Sequence, residues 1–229
     1  MENQDLLKQR AAQSAVQFVE SGMVLGLGTG STTRFALEFI GKGIREGKLR
    51  DILGVPSSKQ TENQAGEYGI PLTTLEKHSK IDLTIDGADE VDQDLNLIKG
   101  GGGALFREKV IAQASRRNII IVDEGKVSSR LGTLWVIPVE VVPFAWKPVA
   151  DFITSLGAEV LLREKGTGTP FITDQDNYVL DCNFGPIENP ERIAAELEKR
   201  AGILEHGLFL NLATDVLAAG KEGIRHMRR

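Results

Sequence analysis

The chain has 229 residues, 41% of them apolar and 26% charged, with a formal net charge of −5. That length and composition describe a globular protein with ample chain for a core, in one large domain or two small ones. The acidic balance removes the basic footprint of a nucleic-acid binder, so an anionic ligand has to be held by a local cluster of cations and backbone N–H groups.

Cys182 is the single cysteine, which excludes an internal disulfide and a cysteine metal cluster and fits a reducing compartment. The three histidines, His78, His206 and His226, are not at metal-ligand spacing. The first segment, "MENQDLLKQRAAQSAVQFVESG", reads as an amphipathic helix with Leu7, Ala11, Ala15 and Val19 on one stripe. It lacks the apolar core of a signal peptide. No apolar run approaches the roughly 20 residues that span a bilayer. The expectation is a soluble cytoplasmic protein with no membrane or nucleic-acid partner.

"MVLGLG" reads as a buried strand and "STTRFALEFIGKG" as a helix with Phe35, Phe39 and Ile40 inward. "DILGVPSS" is a second strand, "SKQTENQAGEYG" a helix ending at Gly69, and "IPLTTL" and "IDLTIDG" are further strands. "ALFREKVIAQASRR" is a helix, and "NIIIVDEGK" a strand followed by a turn. Strands alternating with helices predict a Rossmann-like parallel sheet covered on both faces.

Near Gly132 the pattern changes. "LWVIPVEVV" reads as a strand and "KPVADFITSLG" as a helix with Pro148 in its first turn and Gly157 at its end. "AEVLLRE" is a strand, and "PFITDQDNYVLDCNF" a hairpin around Asp174, Gln175, Asp176 and Asn177. "NPERIAAELEKR" is a helix capped by Asn189, and "ILEHGLFLN" a strand. The order β-α-β-β-α-β predicts a smaller, ferredoxin-like α+β domain. Its expected bounds are 132–206, with 1–131 and 207–229 forming the Rossmann-like domain.

Four stretches carry chemistry. "GLGTGSTT" (26–33) follows a strand and opens a helix. It has Ser31 where the dinucleotide fingerprint needs glycine, and it lacks the P-loop lysine. A glycine-rich turn at a helix start still aims N–H groups at an anion, and Ser31 and Thr32 add hydroxyls. A plain capped turn explains the same stretch equally well. "IDGADE" (85–90) loads a strand end with Asp86, Asp89 and Glu90. "KGGGGALFREK" (99–109) spends backbone entropy on four consecutive glycines, which let a ligand approach bare backbone beside Lys99. Glu108 follows, on a helical stripe with Ala104, Leu105, Ile111 and Ala112. A carboxylate on an apolar face is desolvated, which suits a base. Taken alone, Glu108 is better read as a first-turn acid favoured by the helix dipole; beside the glycine run and the acids the functional reading gains. Lys126 follows the strand "NIIIVD", at the edge where parallel sheets bind ligands; alone, it reads as a solvated lysine. "DQDLN" (92–96) starts like a calcium loop but lacks its glycine and its glutamate. His78 reads as a surface histidine.

"GLGTGST", "DGADE", "KGGGGAL" followed by "REK", and a lysine after the next strand together resemble ribose-5-phosphate isomerase of the A type. The hairpin "PFITDQDNYVLD" and the late "GLFLNLATDVLAAG" are similar to that family's second domain and closing segment; Asp176 stands where the family's turn commonly has glycine. The resemblance implies an aldose–ketose isomerase that interconverts ribose 5-phosphate and ribulose 5-phosphate without metal or cofactor, in the non-oxidative branch of the pentose phosphate pathway. It implies Glu108 as base, with Asp86, Asp89 and Lys99 at the sugar. It also implies substrate contacts from Thr29, Gly30, Ser31, Thr32, Gly87, Ala88, Gly100, Gly101, Gly102 and Lys126. Lys8 corresponds to an N-terminal lysine of some members. A homodimer or homotetramer is implied too, with Phe144 and Trp146 as interface candidates that core burial would explain as well.

The chemistry asks for the same set. Moving a carbonyl from C1 to C2 means taking a proton from one carbon and returning it to the other, which one carboxylate can do. Lys99 and the N–H groups of residues 100–103 would stabilise the anionic enediolate. Asp86 or Asp89 would open the sugar ring. Rival readings are an amino-sugar-phosphate isomerase/deaminase, which needs an active-site histidine, a non-catalytic sugar-phosphate sensor, which needs a DNA-binding module, and a dinucleotide-dependent oxidoreductase, which Ser31 weakens.

Overall fold

The computed structural model describes residues 4–229. In chain order the helices and strands are α1 (Gln4–Val16), β1 (Val24–Leu27), α2 (Ser31–Arg45), β2 (Leu53–Pro56), α3 (Lys59–Glu67), β3 (Leu83–Asp86), β4 (Glu90–Val91), β5 (Leu97–Ile98), α4 (Leu105–Ala114) and β6 (Asn118–Asp123). They continue with β7 (Ile137–Val141), α5 (Trp146–Ser155), β8 (Glu159–Leu162), β9 (Tyr178–Asn183), α6 (Pro190–Glu198), β10 (Ile203–His206), β11 (Leu208–Phe209), β12 (Asp215–Gly220) and β13 (Gly223–Arg228). Residues 1–3, the start of the first expected helix, lie outside the described residues.

The chain forms two compact units. One holds the described residues up to Ala88, with Arg107–Val127 and Asn211–Arg229; the other holds Asp89–Phe106 and Ser128–Leu210. These bounds depart from 1–131 plus 207–229 and 132–206. Asp89–Phe106 goes with the second unit because β5 pairs antiparallel with both β4 and β11. Strands of two residues leave no alternation to read in a sequence.

The first unit is a six-stranded sheet in the order β13-β12-β6-β3-β1-β2. All pairs are parallel except β12 with β13, which no sequence pattern announced. The alternation of strand residues splits the core. Leu25, Leu27, Leu83, Ile85, Ile119 and Ile121 pack with Ala11, Ala15, Leu37 and Ile40 of α1 and α2. Val55 and Ile81 pack with Ile111 of α4 in a separate cluster. Phe35 and Phe39 are half-buried against the first cluster. The expected strand "IPLTTL" reduces to one bridge, Leu72 with Gly54.

At the sheet's far edge Arg117 donates from Nε and Nη2 to Asp215 at 2.8 and 2.7 Å, and His226 lies 2.7 Å from the same carboxylate. This cluster ties β12 to β13 and to the start of β6.

The second unit has a four-stranded antiparallel sheet, β10-β7-β9-β8, threaded β7-α5-β8-β9-α6-β10. That is the expected split βαβ order. Val139, Val141, Val149, Ile153, Leu180 and Leu197 form its core. Two expectations change. The "PFIT" arm is no strand: Pro170 has no N–H to offer a ladder, and the Thr173 hydroxyl accepts from Gln175 and Asn177 within its own turn. The strand "ILEHGLFLN" breaks at Gly207 into β10 and β11, which join different sheets. A Cβ on Gly207 would strike the Lys99 carbonyl and Pro138, so only glycine lets the chain pass there.

Candidate active site

In the first unit β1 lies between β2 and β3, so the winding direction reverses between β1 and β3. Ligands of open parallel sheets bind beyond the carboxyl ends of strands at such a reversal. Asp86 ends β3 there and is only 3% exposed. Its Oδ1 accepts the N–H groups of Gly87 at 2.7 Å and Thr29 at 3.2 Å. The register pairs Gly26 with Thr84, which brings Gly28 beside Asp86. Cβ atoms at Gly26 and Gly28 would collide with the Thr84 and Asp86 side chains respectively. These two glycines therefore exist for close strand approach. A Cβ at Gly26 would also lie 2.6 Å from Ile111, so the same gap seats α4.

Gly30, at φ 129°, turns the chain into α2, whose N-terminus no side chain caps. Its first-turn N–H groups, at Ser31 and Thr32, have no partner within the helix. Thr29 turns elsewhere. Its Oγ1 lies 2.8 Å from the hydroxyls of Ser57 and Ser58 and 2.9 Å from that of Thr61. The structure thus makes Thr29 a tie between β1 and the start of α3, and Ser57 and Ser58, which carried no sequence signal, belong to its surroundings. Lys126 stands in a short 3-10 turn after β6, capped by Asp123, whose Oδ1 accepts from Gly125 at 3.1 Å. Lys8, on α1, pairs with Asp5 at 3.8 Å.

Glu108 lies in the first turn of α4 and is 5% exposed. The expectation of a carboxylate on the buried stripe holds: Leu105 and Ile111, three residues to either side, are buried as well. Lys109 is equally buried, which the stripe reading did not anticipate.

In the second unit Asp89 accepts the N–H of Gly101 on Oδ2 at 2.8 Å. A Cβ on Gly101 would sit 2.7 Å from that carboxylate, so any larger residue there would push the Asp89 side chain aside. Lys99 is 4% exposed. Its backbone N–H donates to Gly207 at 2.9 Å, and its ammonium stands 5.5 Å from the centre of the Phe209 ring. Gly100, at φ 103°, and Gly103, at φ 77°, take backbone conformations that other residues reach at a cost. Gly102 is exposed, with open space where a Cβ would go.

The acids of "IDGADE" divide by role. Glu90 is fully buried and accepts the N–H groups of Gly132, Thr133 and Trp135 at 3.0, 3.2 and 3.0 Å, a purely structural duty. "DQDLN" is the turn between β4 and β5: Asp92 accepts from Asp94 and Asn96. Burial pushes the Asp92 carboxyl above its ordinary range, although those hydrogen bonds favour its charge. Among the described residues no group of three or more His, Cys, Asp or Glu side chains could hold a metal. His78 is half-buried, on a connecting loop.

A doubly wound sheet with a buried carboxylate and an uncapped helix start at its winding reversal defines a small-molecule-binding α/β protein. The model of the family described as Ribose 5-phosphate isomerase A (phosphoriboisomerase A) matches residues 53–223. Ribose-5-phosphate isomerase A of Desulfatibacillum aliphaticivorans is 56% identical over 228 residues, spanning 100% of this chain and 99% of its own. The enzyme of the same name from Chloroflexus aurantiacus is 53% identical, spanning 96% and 92%. A solved D-ribose-5-phosphate isomerase in complex with phospho-erythronic acid matches with a TM-score of 0.97 at 38% identity, over 99% of this chain and 100% of that one. The chain belongs to the ribose-5-phosphate isomerase A family and is an isomerase.

Proposed function

We propose that the chain interconverts D-ribose 5-phosphate and D-ribulose 5-phosphate through an enediolate, with Glu108 carrying the proton. From the aldose side, Glu108 takes the proton of C2, the C–H electron pair forms the C1–C2 double bond and the C1 carbonyl oxygen takes the negative charge. The C2 hydroxyl proton passes to that oxygen, and as the C2 carbonyl forms the same carboxyl returns its proton to C1. The observation that carries this role is the burial of Glu108 within an otherwise apolar stripe of α4. Such a group meets substrate without a water shell to displace and can serve both carbons in turn.

The anionic enediolate oxygens fall to the Lys99 ammonium and the N–H groups of the glycine loop. Asp86 or Asp89 opens the sugar ring and holds its hydroxyls; Gly87 and Ala88 present backbone beside them. Ser31 and Thr32 at the uncapped start of α2, with Gly30 and Lys126, take the phosphate. That a relative was solved with phospho-erythronic acid, a four-carbon acid phosphate, supports an anionic sugar-like ligand for this chain.

A homodimer or homotetramer is part of the proposal, supported by Phe144, an aromatic side chain 97% exposed; Trp146 instead packs against the second unit's core. Light scattering at micromolar protein checks it, and a monomer mass would exclude it. Cytoplasmic residence is supported by the free, buried Cys182 and by the lack, among the described residues, of a helix long and apolar enough to cross a membrane.

The test is formation of ketopentose phosphate from ribose 5-phosphate in D2O with EDTA present. The proposal expects turnover that survives EDTA and leaves deuterium on C1 of the ketose. Turnover lost to EDTA, or ketose still free of label after the two sugars have equilibrated through many turnovers, would exclude metal-free proton transfer through a carboxyl.

A further inference from the structure

One side chain that the proposed chemistry does not use grips the glycine loop. Arg163, just after β8, donates from Nη1 to the carbonyls of Gly100 at 2.8 Å and Gly101 at 3.1 Å. Its other edge is fixed: Nε and Nη2 donate to the two oxygens of Asp181, on β9, at 3.0 and 2.5 Å. The guanidinium carbon stands 5.7 Å from the centre of the Phe171 ring, and that ring occupies the place a Cβ would take on Gly103. The Arg163 backbone is held as well, donating to Val179 and accepting from Phe171, both at 2.8 Å.

The consequence follows from the peptide group. A trans peptide is planar, so its N–H points opposite to its carbonyl. In the peptide joining Gly100 to Gly101 the carbonyl meets Arg163 and the N–H meets Asp89. That plane is clamped on both edges. In the next peptide the Gly101 carbonyl is held by Arg163. The N–H of Gly102 must then point away from Arg163, on a residue that is exposed. Four glycines would otherwise sample many conformations.

We propose that Arg163 is a positioning residue of the isomerisation: by fixing the Gly100 and Gly101 carbonyls it aims the Gly102 N–H as a preorganised donor to the enediolate oxygen. This rests on the enediolate reading above. The task needs arginine, because one planar fork serves a carboxylate on one edge and two carbonyls on the other, and an ammonium cannot span both.

The experiment compares the native chain with Arg163→Lys and Arg163→Ala. It reads kcat and KM for ribose 5-phosphate, Tm, and amide hydrogen exchange of residues 100–103. The expected result is a kcat lower by about 10- to 100-fold in both variants, with KM within about threefold. Exchange should be faster in the loop alone, and added guanidinium ion should restore part of the kcat of Arg163→Ala. Arg163→Lys keeps the charge and the stem, so it reports even if the alanine variant folds poorly. Native kcat in Arg163→Lys, or a kcat loss that only tracks a fall in Tm, would overturn the positioning role while leaving the isomerase reading intact. A native chain without isomerase activity would overturn that reading and this inference with it, whatever the loop exchange showed.

Discussion

The backbone N–H of Thr29 donates to Oδ1 of Asp86 at 3.2 Å, joining residues 57 apart in the chain. Asp86 thus closes the two strand ends at the winding reversal, and Gly28 is bare so that it can. The carboxylate is held in place before any ligand arrives. Asp89 does the same for Gly101 in the second unit. Asp86 and Asp89, the two acids proposed for the sugar, are thus both backbone clamps as well.

Glu108→Gln keeps the shape of the side chain and removes the base. Initial rates of ketose formation should show kcat lower by roughly 1,000-fold, with KM changed by less than about threefold. A variant retaining a tenth or more of native kcat would remove Glu108 from the proton transfer.

Lys126→Ala removes a cation assigned to the phosphate. KM for ribose 5-phosphate should rise about 10-fold or more, with kcat little changed. Weak turnover of unphosphorylated ribose should be the same in both proteins. An equal loss for both sugars would show that Lys126 acts on something other than the phosphate.

Two glycines should answer alanine differently. At Gly28 a Cβ runs into Asp86, including its Cα, which cannot swing away; at Gly102 it meets open space. Urea unfolding should find Gly28→Ala less stable by about 1–3 kcal/mol and Gly102→Ala within about 0.5 kcal/mol of native. Equal stabilities would mean that β1 and β3 can separate at no cost.

Asp215 sets an acid limit on the first unit. Its burial opposes the charge, but hydrogen bonds from Arg117, His226 and Thr214 outweigh burial and hold the carboxyl well below the usual carboxylate range. A folded pKa below the unfolded value, about 3.9, gives stability that is complete above that value and lost as pH falls through it toward the folded pKa. The unfolding free energy of the native chain should therefore fall more steeply between about pH 5 and about pH 2 than that of Asp215→Asn. At pH 7 the variant should be less stable by about 2 kcal/mol. Parallel curves for the two proteins would take Asp215 out of the acid response.

Much of this was legible along the chain. Short apolar runs between helical stretches located β1, β2, β3 and β6 of the parallel sheet but not β12, and the helical stripe of α4 marked Glu108 as an acid on a buried face. Glycine runs and acids at strand ends named Asp86, Asp89, Lys99 and the loop at 100–103, because each is a local departure from what a plain core or surface would carry. Periodicity, capping and glycine content are properties of neighbouring residues, so sequence alone determines them.

What only the tertiary structure decided are relations between distant segments. Sequence cannot show that Gly26 and Gly28 make room for Thr84 and Asp86, because that depends on strand register. It cannot separate Glu90, which holds the N–H groups of Gly132, Thr133 and Trp135, from Asp89 one residue earlier. Gly207 splits one apolar run into two sheets, and Arg163 reaches back some 60 residues to the glycine loop with no motif to announce it. Side-chain direction and long-range hydrogen bonds are settled by how the elements pack, and packing partners are not encoded in any single stretch of chain.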